Sequence, residues 1–152
     1  MSEIALLVQP GAGEAAYTAW IRQLVGSGNV IYAAAYSLSA IPGRAGLCVK
    51  VVFPLPNGNA IVLMRPEAHD DGSFSLVSSG DRFGDSGFYF TVQADAEHVW
   101  ARYLPSLQEV IKVYESGESV RADHRLTLWG AQVLHLHYRL RQTRHDPGMA
   151  AI

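Results

Sequence analysis

The sequence predicts a mainly β (α+β) protein. The expected form is an antiparallel meander of about eight or nine strands, closed into a barrel or strongly curved, with one amphipathic N-terminal helix packed on it. Three observations carry this reading. The last third of the chain alternates apolar and polar residues in three successive runs, the mark of half-buried strands. Turn signals such as Ile41-Pro42-Gly43, Pro56-Asn57-Gly58 and Asp70-Asp71-Gly72 recur at short intervals between apolar runs, as tight turns between strands require. A single segment near the N-terminus carries apolar residues in steps of three and four instead.

The chain is expected to form one domain over residues 1–152, of a length that buries a sizeable core. Residues 1–12 hold a brief apolar run ended by Pro10-Gly11, an arm or a short edge strand. Residues 13–26 predict the helix, with Ala16, Tyr17, Trp20, Ile21, Leu24 and Val25 on one stripe and Gly26-Ser27-Gly28-Asn29 as its stop. Residues 29–142 predict the sheet. Within it, 30–40 is rich in alanine and tyrosine, and 47–53 and 60–65 are apolar almost throughout, which implies cover on both faces. Pro66 is expected to end its strand. Residues 73–79 and 88–93 read as further strands, and 98–103 as another rather than a helix because it is aromatic-rich and closed by Pro105. Residues 143–152 read as a frayed tail.

Register in the final hairpins follows from assumed turns. A two-residue loop at Ser116-Gly117 places Ile111 opposite Ala122 and Glu109 opposite His124. A three-residue loop, Gly130-Ala131-Gln132, places Leu126 opposite Leu136, His124 opposite Tyr138 and Asp123 opposite Arg139. Glu109, His124 and Tyr138 then form a row on an otherwise apolar face. A carboxylate, an imidazole and a phenol in such a setting suit ligand contact or acid–base work, although the favoured reading is that they satisfy one another, or water, at the rim of a core.

The opposite face carries Arg121, Arg125, Arg139 and Arg141 together with His135 and His137. His135-Leu136-His137 aims two imidazoles the same way, roughly 7 Å apart at the usual strand rise. Zinc needs further ligands, and arginines repel a cation, so the expectation is no metal, with His135 and His137 as the weak alternative. Cys48, the one cysteine, lies in an apolar strand pattern and reads as a small buried hydrophobe, which leaves no intrachain disulfide. Gly80–Gly87 holds three glycines. Its spacing is neither a dinucleotide fingerprint nor a P-loop, and it reads as a bend between strands, with a ligand-contacting rim loop as the lesser alternative.

Composition narrows the function classes. A net charge of −2 gives no whole-chain grip on nucleic acid. No stretch is apolar for the roughly 20 residues needed to span a bilayer, and no secretory signal is evident, so the expected location is cytoplasmic. A barrel of this size is filled by side chains or holds one small ligand. The leading expectation is therefore a small hydrophobic or amphipathic ligand in a cavity contacted by Tyr32, Tyr36, Phe88, Phe90, Trp100 and Arg139, with no cofactor. Alternatives are a metal-independent isomerase, cyclase or dehydratase using Glu109, His124 and Tyr138, and an oligomeric interaction module such as a homo-oligomer.

Overall fold

The computed structural model describes residues 2–8 and 15–140. They form eleven strands: β1 (Ser2–Val8), β2 (Ala15–Gln23), β3 (Val30–Ala40), β4 (Leu47–Leu55), β5 (Gly58–Ala68), β6 (Phe74–Val77), β7 (Gly87–Gln93), β8 (Val99–Leu104), β9 (Leu107–Ser116), β10 (Ser119–Leu128) and β11 (Ala131–Leu140). All pairings are antiparallel, in the order β1-β2-β3-β4-β5-β6-β9-β10-β11, with the β7–β8 hairpin branching from β5. The result is a strongly curled half-barrel. Strand twist supplies the curl, and register shifts at Leu7/Val8, Arg22/Gln23 and Leu126/Thr127 increase it locally.

The segment expected to be helical is corrected by β2. Ala15–Gln23 is a strand paired to β1 on one side and β3 on the other; residues 9–14 lie outside the described residues. Tyr17, Thr18, Trp20 and Ile21 all favour strand, and the long-range pairing overrides a helical spacing that only local contacts would reward. The start of the chain is the edge strand β1, and the expected tail, 143–152, lies wholly outside the described residues.

Pro66 does not end its strand. Up to Leu63, β5 pairs β7; from Arg65 onward it pairs β6 on that side, with Pro66 facing Leu76. Its pairing with β4 ends at Met64, so the proline sits where one ladder is already absent and its missing N–H is tolerated. This fork lets one sheet bend in two directions. Gly58 makes the branch possible, because a Cβ there would drive into the backbone carbonyl of Thr91 on β7.

Both C-terminal hairpins form, each two residues away from the expected register. The first loop is Gly117-Glu118, which sets Ala122 opposite Val113, His124 opposite Ile111 and Glu109 opposite Leu126. The second is Trp129-Gly130, with φ of 50° and 78°, the two left-handed residues of a type I′ turn. It sets Ala122 opposite Tyr138, Asp123 opposite His137 and Arg121 opposite Arg139. An even shift keeps every side chain on its expected face.

The core lies under the concave face, where Ala34, Val51, Val62 and Met64 are packed by Val49, Phe53, Leu76, Phe88 and Ile111. The turn between β5 and β6 is fixed by Asp71, whose Oδ1 accepts the Ser73 backbone N–H at 3.0 Å and its hydroxyl at 2.5 Å. These bonds, with Lys112 3.4 Å from Oδ2, lower the carboxyl from 3.8 to about 2. Between those values the unfolded chain binds the extra proton, so stability rises with pH there and the contribution is complete above the ordinary carboxylate value. Asp71→Asn is therefore expected to flatten the pH dependence of the urea midpoint between about pH 2 and 4. An unchanged slope would contradict this assignment.

Candidate functional site

Period-2 alternation aims one set of side chains from each strand into the curl. Register aligns them: Trp20 with Ala34, Arg22 with Tyr32, Tyr36 with Val51, and Val51 with Val62. From the other side come Glu109 and Ile111 on β9, Ala122 and His124 on β10, and Tyr138 on β11. Together these residues line a cavity of about 340 Å³ whose walls are chiefly apolar and aromatic.

One end of the cavity is polar. The Arg22 guanidinium lies 4.4 Å from the Trp20 ring, 5.4 Å from Tyr32 and 5.7 Å from Tyr138. Arg22 is on β2 and Tyr138 on β11, near opposite ends of the strand order, so this cation–π group spans the open side of the curl. Trp20 and Tyr32 meet edge to face at 5.7 Å, as do Tyr32 and Phe53 at 5.5 Å. The Tyr32 and Tyr36 hydroxyls are 2.5 Å apart. Burial raises both phenols, and for Tyr36 the bond to Tyr32 raises it further, so neither is a source of phenolate near neutral pH.

His124 Nε2 touches Glu109 Oε1 without hydrogen-bond geometry, and the His124 ring stacks on Tyr138 at 6.4 Å. The row expected from the sequence is thus assembled, but as a diagonal, because Glu109 faces Leu126 and Tyr138 faces Ala122. Long side chains bridge that offset. The indole N–H of Trp20 and the Nε–H of Arg22 are buried without a hydrogen-bond partner among the described residues. Such groups normally find one.

Of the expected contact residues, Tyr32, Tyr36 and Arg139 line the cavity. Phe88 packs against the core cluster instead. Phe90 and Trp100, on the branched hairpin, are exposed, Trp100 by 74%. Trp20 and Arg22 were missed because a helical reading scatters them. Their signal is the alternation Thr18, Trp20, Arg22. On the outer face, His135 and His137 stand with ring centroids 4.2 Å apart, and His137 Nδ1 lies 2.6 Å from Asp123 Oδ1.

A second, more polar cavity of about 600 Å³ lies between the 41–48 and 79–86 segments. Both of its arginines are paired: Arg44 with the buried Asp85 at 2.6 Å, and Arg65 with Glu67 at 2.5 Å. The Gly80–Gly87 stretch bends the chain between β6 and β7, held by Tyr103 Oη donating to Gly80 O at 2.6 Å and Tyr89 Oη donating to Asp85 O at 2.5 Å. Cys48 is buried, its thiol donating to Ser39 O, and burial raises its pKa.

Comparison with protein-family models, with curated proteins and with solved structures finds no match. Among the described residues, no helix is long and apolar enough to cross a membrane.

Proposed function

We propose that the concave face binds one small apolar or amphipathic molecule that carries a hydrogen-bond acceptor at one end. The observation that carries this is the pairing of an apolar cavity with two buried donors, Trp20 Nε1 and Arg22 Nε, that lack partners among the described residues. Its volume of about 340 Å³ falls at the lower end of the range for small-molecule sites. Leaving a buried donor unpaired costs about 1–3 kcal/mol, which an acceptor on the ligand would recover. The aromatic walls take the ligand's apolar body, and Arg22 gives its polar end a direction.

A second reading keeps the same pocket and adds acid–base chemistry, supported by the Glu109–His124 contact and the stacked Tyr138. In it Glu109 or His124 is the base and Tyr138 the donor to a developing oxyanion. The binding reading rests on fewer requirements, because it asks no group to change protonation.

Native mass spectrometry of the purified chain, with organic extraction of the same sample, tests the binding reading. The expected result is a single noncovalent adduct, or one molecule of added dodecanoate taken up per chain. A chain that purifies empty and ignores dodecanoate and dodecanol alike would overturn it.

A further inference from the structure

We infer that the outer face of β10 and β11 carries a binding site for a divalent transition-metal ion of the zinc class, formed by Asp123, His135 and His137. The three donor groups come from two adjacent strands, and their ligand atoms all lie within 4.8 Å of one another. Alternation along β11 puts His135 and His137 on one side, and register puts Asp123 directly opposite His137. The rings are 4.2 Å apart at their centroids, and His137 Nδ1 is 2.6 Å from Asp123 Oδ1. Ligands held tetrahedrally at roughly 2.0–2.2 Å from one ion stand about 3.3–3.6 Å from each other, a spacing that small rotations of these side chains reach.

The register expected from the sequence matches Asp123 to Arg139 and leaves the histidines among arginines, which disfavours a cation. The two-residue shift in register reverses that premise: Arg139 now faces Arg121, and the carboxylate goes to the histidine pair. Asp123 is also positioned from behind, since Tyr114 Oη donates to its Oδ1 at 3.4 Å. A supporting partner of this kind fixes a ligand's orientation. Two imidazoles and one carboxylate favour zinc, copper or nickel over calcium or magnesium, which prefer oxygen donors. Three protein ligands leave a coordination position for water. Arg125, opposite His135, limits the affinity.

Isothermal titration of the full chain with zinc chloride tests the inference. The expected result is one zinc ion per chain, weakened about tenfold or more by either His135→Ala or Asp123→Asn and unchanged by His98→Ala, which removes an exposed histidine elsewhere. Because these side chains stand on the outer face and away from the core cluster, circular dichroism should report the same fold for each variant. No stoichiometric binding at 100-fold excess over protein, or equal binding by wild type and both site variants, would overturn it.

Discussion

Met64→Ala is expected to lower the unfolding free energy by about 2–5 kcal/mol. Met64 is 2% exposed and packs with Ala34, Val51 and Val62 at the floor of the curl. Truncation removes contacts on three strands at once and enlarges a void that is already present, so the surroundings cannot collapse to refill it. For a chain of this length the loss corresponds to a fall in Tm of roughly 5–15 °C. Chemical denaturation with an unchanged m-value would measure it. The contrast is Trp100→Ala: at 74% exposed, Trp100 has little to lose, and its removal should stay within about 0.5 kcal/mol. Equal losses for the two variants would mean that the concave face is not the core.

Ala122→Phe is expected to weaken ligand binding by about 100-fold or more while the chain stays folded. Ala122 is buried, lines the cavity and sits between Val113 and Tyr138 in register. A phenyl ring there has one direction to go, into the space the ligand would occupy. Overpacking typically costs about 1–3 kcal/mol, and the existing void lowers that cost. Binding and folding therefore separate in this variant, whereas they fall together in Met64→Ala. If Ala122→Phe binds dodecanoate as the wild type does, the ligand site is not this cavity.

The two C-terminal hairpins show why faces were legible when partners were not. Hydrophobic alternation fixes which side of a strand faces inward, and an error of two residues leaves that unchanged. Turn residues fix partners only loosely here, since Ser116-Gly117-Glu118 and Trp129-Gly130-Ala131 each admit more than one loop. The bulge at Leu126/Thr127 has no local signature, so the sequence alone matches Asp123 to Arg139 and conceals the Asp123–His135–His137 cluster. Glu109, His124 and Tyr138 still meet, because only their shared face matters for that. Strand 99–104 was legible for the same reason as its neighbours, through aromatic enrichment and a closing proline.

The N-terminal third misled for a different reason. Tyr17, Trp20, Ile21 and Leu24 fit a helical stripe, while Trp20 and Arg22 fit an inward strand face, and nothing local decides between them. Pairing to β1 and β3 decides it, and such long-range contacts leave no trace in a short window. The cost fell on the site: Trp20 and Arg22, which hold the unpartnered donors, were assigned to a packing helix. Phe90 and Trp100 were lost through the fork at β5, which turns the β7–β8 hairpin away from the cavity.

Trp20 offers the most direct test of ligand binding on the concave face. It is one of three tryptophans, and the other two, Trp100 and Trp129, are 74% and 81% exposed. A Trp100→Phe/Trp129→Phe chain reports from the cavity wall alone. Titrated with 1-anilinonaphthalene-8-sulfonate, its tryptophan emission should be quenched with transfer to the probe, saturate at one probe per chain, and lose this response when Ala122→Phe is added. Probe saturation that leaves Trp20 emission unchanged would contradict ligand binding on the concave face.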